Sequence, residues 1–226
     1  MKRNSSLHPE PRESTEGLAK TFAASIAVLI AGLIAIGQAT DLGHSFTTET
    51  LRREEVARKP RALPEFVLRD ATDHDIPLQR LLASDGRVQI VDFVYTRCQT
   101  VCTSLGSTYQ QLQRQLVESN LQDKVGLLSI SFDPSGDDAS ALREYAARMR
   151  MQPHVWRIVT LASSADRQRL LDAFGIMVVP AARGEFEHNS ALHIVAADGR
   201  LVRIVDDRSP DLAIDIASAW TRPAAR

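Results

Sequence analysis

Cysteine is scarce in this chain, with two in 226 residues, and that scarcity constrains its chemistry more than any abundance does. Two thiols allow one bridge at most, and a metal held by them must recruit ligands of another kind. Net charge is scarce too: 27 Lys and Arg stand against 28 Asp and Glu, interleaved along the sequence, so nothing attracts nucleic acid. Internal repeats and low-complexity segments are missing, which excludes a repeat array. With 11 Gly, 10 Pro and 44% hydrophobic residues, the composition is that of a globular domain able to bury a core.

One stretch departs from that composition. Between Lys20 and Asp41 lie 20 uncharged residues, with Phe22–Ile36 as the apolar centre. At 1.5 Å per residue a helix of that length spans roughly 30 Å, about the thickness of a bilayer core. Lys2, Arg3, Arg12 and Lys20 precede it, which predicts residues 1–20 as a cytoplasmic tail and 21–40 as a transmembrane anchor. The alternative is a cleaved signal peptide ending at Gly37-Gln38-Ala39. In either case the remainder is exported. The first 20 residues do not have the Arg/Ser-rich, acid-poor character of a transit peptide, so the expected location is the inner membrane, single-pass, with the C-terminal domain in the periplasm. Residues 41–61 are polar and read as a tether, with an exposed helix over Thr48–Lys59. Residues 62–226 form one domain.

Within that domain the periods alternate. Strands are expected at Phe66–Leu68, Val88–Val94, Val125–Phe132 and Val155–Leu161. Helices are expected at Leu78–Leu82, Thr103–Asn120, from an Asp137-Asp138 cap through Arg150, and over Ser164–Phe174 after a Ser163 or Ser164 cap. A loop, Met177–Asn189, leads to a hairpin of Ala191–Ala196 and Leu201–Val205 about Asp198-Gly199, and a helix over Pro210–Ala219 closes the chain. Alternating strands and helices followed by a hairpin and helix predict an α/β thioredoxin-like sandwich preceded by one N-terminal transmembrane helix.

Cys98 and Cys102 sit where the Val88–Val94 strand gives way to a helix, a position whose free N–H groups and dipole favour a thiolate. At i and i+4 of a helical turn, two sulfurs fall on one face and can bond to each other or share a soft metal. A purely structural bridge enclosing so few residues would constrain the unfolded chain little. Histidine is the usual added ligand, and the six are His8, His44, His74, His154, His188 and His193. His8 precedes the apolar run, His44 is in the tether, and His74 and His154 sit in polar or strand-flanking positions. His193 alternates with Leu192 and Ile194 and is expected to face solvent or a neighbouring side chain. His188 ends a loop that, in such a sandwich, returns towards the cysteines; on pattern alone it remains a loop histidine or a ligand.

The segment Tyr95-Thr96-Arg97-Cys98-Gln99-Thr100-Val101-Cys102-Thr103 resembles the copper-site motif of the Sco/SenC family. Those proteins are membrane-tethered, thioredoxin-fold factors for assembling the copper A centre of cytochrome c oxidase. Ser129-Ile130-Ser131-Phe132-Asp133-Pro134, Glu187-His188 with the hairpin after it, and Phe66–Asp70 resemble other family segments. The likeness runs over roughly Leu63 to Val205. It implies Cys98, Cys102 and His188 as copper ligands, and gives Asp133 a role in orienting the site or docking a partner, against plain helix capping. Two thiolates suit Cu(I), and an imidazole lets the same site hold Cu(II). Gln99 and Thr103 stand where the family usually has proline, and Glu187 where it usually has Asp. The missing prolines restore an N–H at each position and free the turn.

The resulting expectation is a copper metallochaperone, not an ordinary enzyme. It would deliver copper to the apo subunit of a copper oxidase, with a redox-switchable Cys98/Cys102 pair and a thiol reductase as a further partner. The rival is a membrane-anchored thiol–disulfide oxidoreductase acting on the acceptor's cysteines, with His188 incidental; the CxxxC spacing, rather than CxxC, counts against it. No motif for peroxide reduction is present.

Overall fold

A computed structural model describes residues 15–39, 48–97, 101–180 and 186–221. The chain divides into two compact units, residues 1–51 and 52–226.

The first unit contains helix α1, Thr15–Ala39, of 25 residues. Phe22, Ile26, Val28, Leu29, Ile30, Leu33 and Ile34 are exposed on it. The expected helix is there, but among the described residues no helix is long and apolar enough to cross a membrane.

Helix α2, Thr48–Arg58, contributes its later turns to the second unit. The sequence reading makes this an exposed helix in a tether, and the structure differs: Val56 is 2% exposed and joins a core cluster. An Arg52 guanidinium N–H donates to the Phe174 carbonyl, and Arg53 lies 3.5 Å from Asp206. Leu51, Val56 and Ala57 among the charges set no helical period, so the docking was invisible in the pattern.

The strands are β1 (Arg61–Ala62), β2 (Val67–Asp70), β3 (Asp75–Pro77), β4 (Val88–Val94), β5 (Val125–Ser131), β6 (Trp156–Leu161), β7 (Val178–Pro180), β8 (Phe186–His188), β9 (Ala191–Val195) and β10 (Arg200–Asp206). The remaining helices are α3 (Leu78–Asp85), α4 (Val101–Glu118), α5 (Ala139–Met149), α6 (Arg167–Phe174, after a 3-10 turn) and α7 (Pro210–Trp220). Eight strands form one mixed sheet in the order β1–β10–β9–β4–β5–β6–β2–β3, with β4, β5 and β6 parallel.

Both faces of that sheet are covered, as a parallel centre requires. Residues Val91, Phe93 and Tyr95 face one core with Leu82 of α3 and Leu170 and Phe174 of α6. Val88, Ile90 and Val94 face the other, with Tyr109 of α4, Tyr145 of α5 and Ala213 of α7. This is the thioredoxin-like sandwich expected from the pattern. All seven residues of β4 are buried, which is why it reads as a continuous apolar run rather than an alternation.

Two features depart from expectation, and a third, His193, decides between two expected settings. The loop before the hairpin contains a second sheet, in which β7 pairs antiparallel with β8 and Val178 sits opposite His188. Three-residue strands are too short to show a period, and Pro180 argues against one. His193 is fully buried and faces neighbouring side chains, the second of its two expected settings, because both faces of β9 are covered by the two cores. Its Nδ1 lies 3.3 Å from the Val91 carbonyl and its Nε2 3.2 Å from that of Phe174, with Phe93 and Phe174 edge-on to the ring. Finally, the α5 cap is Asp138 alone, whose carboxylate accepts the Ala141 N–H at 2.9 Å. Asp137 has a different task.

Candidate metal centre

The parallel strands β4 and β5 finish side by side at one end of the large sheet, and Tyr95 ties β8 of the small sheet to that end. Cys98 follows β4 and lies outside the described residues, as do Gln99 and Thr100. Cys102 is the second residue of α4, and its side chain is likewise outside the description. His188 is the last residue of β8; its backbone pairs with Val178 and its side chain is not described. The structure therefore defines the frame around the expected ligands. Among the described residues no other group of His, Cys, Asp and Glu could hold a metal ion.

That frame is tied together by Tyr95, the first residue after β4. Its hydroxyl donates to the Phe186 carbonyl and accepts the Phe186 N–H, so the strand that ends in His188 is bonded to the strand that leads to Cys98. Tyr95, Phe132 and Phe186 form an aromatic cluster with centroids 5.3 to 5.7 Å apart. By the two-residue strand period, positions 186 and 188 share a face.

Asp133 follows β5 and is buried. Its Oδ2 takes Arg97 Nη2 at 2.6 Å, and its Oδ1 takes Arg167 Nη2 at 3.1 Å. The capping role weighed from sequence is not what it does; it pairs with the arginine immediately before Cys98. The hydrogen bond that Arg97 donates to Asp133, and then the carboxylate's charge, raise the Arg97 pKa above its ordinary value. Gly136 lies under this pair: a Cβ there would run into Arg97 Nη2 and come within 2.6 Å of Asp133 Oδ2.

Asp137 is fully buried and accepts the Thr96 N–H at 2.9 Å and the Thr96 hydroxyl at 2.6 Å. Arg148 of α5 donates to the Thr96 carbonyl at 2.8 Å. Sequence reasoning missed Tyr95, Arg97, Asp137, Arg148 and Arg167 as site residues. The first two were inside the motif and Asp137 was read as a cap; for Arg148 and Arg167, far along the chain, no signal existed.

Earlier in β4, Asp92 is fully buried, and among the described residues neither of its oxygens has a hydrogen-bond partner. Burial pushes its carboxyl up to about 7, moderated by the nearby Ser129 and Tyr109 hydroxyls.

A family model described as SCO1/SenC matches residues 54–221, most of the chain and the whole of the frame just described. The chain belongs to the SCO1/SenC family. The SCO1 protein homolog of Bacillus subtilis (strain 168) is 26% identical to this SCO1/SenC chain over 162 residues, covering 69% of this chain and 81% of its own. A SCO1/SenC family lipoprotein from Bacillus anthracis str. Ames shares the fold with a TM-score of 0.63 and 22% identity, over 73% of this chain and 99% of that one. Bradyrhizobium japonicum ScoI, solved with copper bound, matches with a TM-score of 0.57 and 21% identity, over 71% and 99% of the two chains.

Proposed function

We propose that this chain is a metallochaperone that binds one copper ion through Cys98, Cys102 and His188 and delivers it to the copper A centre of a respiratory cytochrome c oxidase. The observation that carries the reading is SCO1/SenC membership over residues 54–221; the resemblance of residues 95–103 and of Glu187-His188 to the family's copper-site segments is what implies Cys98, Cys102 and His188 as its donor set. Copper in a relative and the family's description as cytochrome c oxidase assembly proteins support it. The donor chemistry agrees: two thiolates favour Cu(I), and one imidazole adds a ligand suited to Cu(II).

Here copper is cargo. An acceptor with its own thiols takes it by ligand exchange, and the site must be reduced to be loaded. Exchange with a partner's disulfide would oxidise Cys98 and Cys102 to a disulfide while the partner becomes a dithiol, and would empty the site. The tie from Tyr95 to Phe186 supports the reading, since it holds the strand of His188 against the end of β4.

The N-terminal helix is proposed as a membrane anchor that keeps the domain on the periplasmic side of the inner membrane. Its support is the uncharged run between Lys20 and Asp41 and the basic residues before it. Alkaline extraction of membranes would leave an anchored chain in the pellet; release into the supernatant would overturn the anchor.

The deciding experiment titrates Cu(I) and Cu(II) separately into the reduced, full-length chain in detergent under anaerobic conditions, for wild type and His188→Ala. One copper per chain, weakened mainly for Cu(II) in the variant, is expected. A chain that takes no copper yet exchanges its disulfide with a thiol pool would be an oxidoreductase instead.

A further inference from the structure

The segment joining β5 to α5 grips both residues that precede Cys98. Thr96 offers three polar groups, and each is taken by a side chain from that segment or from α5. Its N–H goes to Asp137 Oδ2 at 2.9 Å, its hydroxyl to Asp137 Oδ1 at 2.6 Å, and its carbonyl to Arg148 Nη2 at 2.8 Å. The next residue, Arg97, is held by Asp133. Ser131 closes the network: its hydroxyl donates to Asp137 Oδ2 and accepts the Asp133 N–H at 3.1 Å.

Helix capping does not account for Asp137, because Asp138 already caps α5. A carboxylate with no exposed surface is expensive to bury, and a neutral side chain would satisfy a turn more cheaply. Hydrogen bonds to a charged acceptor are shorter and about twice as strong as neutral ones, so Asp137 fixes Thr96 more firmly than a neutral acceptor could. The need for such anchoring follows from the sequence, since residues 96–103 contain no proline to fix a backbone angle.

We infer that Asp137 is a positioning residue for the cysteine loop: its buried carboxylate fixes the backbone and hydroxyl of Thr96, and thereby the direction in which the chain enters Cys98. The inference rests on the copper reading of Cys98, Cys102 and His188 and adds to it the group that holds the first thiolate in place. Ligands carried on a loop bind well only when their supports hold them to within about 0.5 Å, which is the accuracy a charged clamp supplies.

The test uses the full-length chain in detergent and the variants Asp137→Asn, Thr96→Val and Asp138→Ala. Asp137→Asn keeps the shape and removes the charge, and Thr96→Val removes one partner while leaving Asp137 intact. Asp138→Ala costs α5 its cap without touching Thr96, so it is the control for a merely structural effect. Cu(I) affinity is read by competition with a chromophoric chelator, and exchange of the Thr96 amide is read alongside. Asp137→Asn is expected to weaken Cu(I) by about tenfold, equivalent to about 1.4 kcal/mol, and to speed that exchange. Thr96→Val should weaken Cu(I) less, and the two together less than the sum of both. Asp138→Ala should lower Tm and leave Cu(I) affinity unchanged. If Asp137→Asn lowers Tm but binds Cu(I) like wild type, the inference is overturned. If wild type takes no copper, the copper reading falls by itself. Asp137 is then judged on the equilibrium in which glutathione disulfide is reduced to two thiols as Cys98 and Cys102 are oxidised. Asp137→Asn must shift that equilibrium about tenfold, or about 30 mV, and Asp138→Ala must not; no shift there overturns the inference.

Discussion

Tyr95 bonds to both backbone groups of Phe186, donating to its carbonyl at 3.3 Å and accepting its N–H at 3.2 Å. One hydroxyl thus spans from the cysteine strand to the histidine strand, 91 residues away in sequence. Tyr95→Phe keeps the ring contacts and removes both bonds. It should lower stability by about 1–2 kcal/mol, measured by urea unfolding. It should also weaken Cu(II) more than Cu(I), because the strand it releases is the one that ends in His188. An equal loss for both oxidation states would disconnect the tie from the histidine.

Asp92 makes stability depend on pH. Its folded pKa, about 7, is above the ordinary carboxylate value of 3.8, so the folded state binds more protons between those values. Stability contributed by protonated Asp92 is therefore complete below about pH 4, falls as pH rises towards 7, and changes little beyond. The slope approaches about 1.4 kcal/mol per pH unit within that window. Asp92→Asn should flatten it, gaining most relative to wild type at pH 8 and least at pH 4. Thermal unfolding of both proteins at the two pH values tests this; parallel curves would refute it.

The Arg97–Asp133 pair predicts an asymmetry. The Arg97 side chain is 63% exposed, so Arg97→Ala should cost under about 1 kcal/mol of stability. Asp133→Ala should cost more, because it leaves Arg167, only 31% exposed, facing Arg97 with no carboxylate between them. Equal Tm losses for the two variants would count against Asp133 as the buried centre of the cluster.

Val56 tests where the domain begins. Val56→Ala removes two buried methyl groups and should cost about 1.5 kcal/mol, a value foreign to a solvated tether. A chain whose Tm does not respond to that change would return α2 to the linker.

The sandwich was largely legible because its central strands are long, apolar runs bounded by turn residues, its helices carry clear periods, and α5 and the 3-10 turn before α6 carry side-chain caps. Val88–Val94 is predicted and observed with the same limits. What escaped was short or non-local. β7 and β8 carry three residues each, below the length at which alternation shows. For His193 the alternation left solvent or a neighbouring side chain open, and the aromatic core under β9 decides for the latter. At the site, the motif pointed to Cys98, Cys102, His188 and Asp133, but the clamp on Thr96 joins residues 41 and 52 positions apart. No spacing rule encodes that.

Gly136 owes its place to the same non-local geometry. Its backbone is not in the left-handed region, so nothing in its own conformation demands glycine. The demand comes from Arg97, whose guanidinium lies where a methyl group would be. The guanidinium is the far end of a flexible, exposed side chain, so a methyl group at 136 would turn it aside and leave its charge in place. What the glycine preserves is the direction of that charge: Arg97 stays on Asp133, next to the first cysteine, instead of swinging free into solvent.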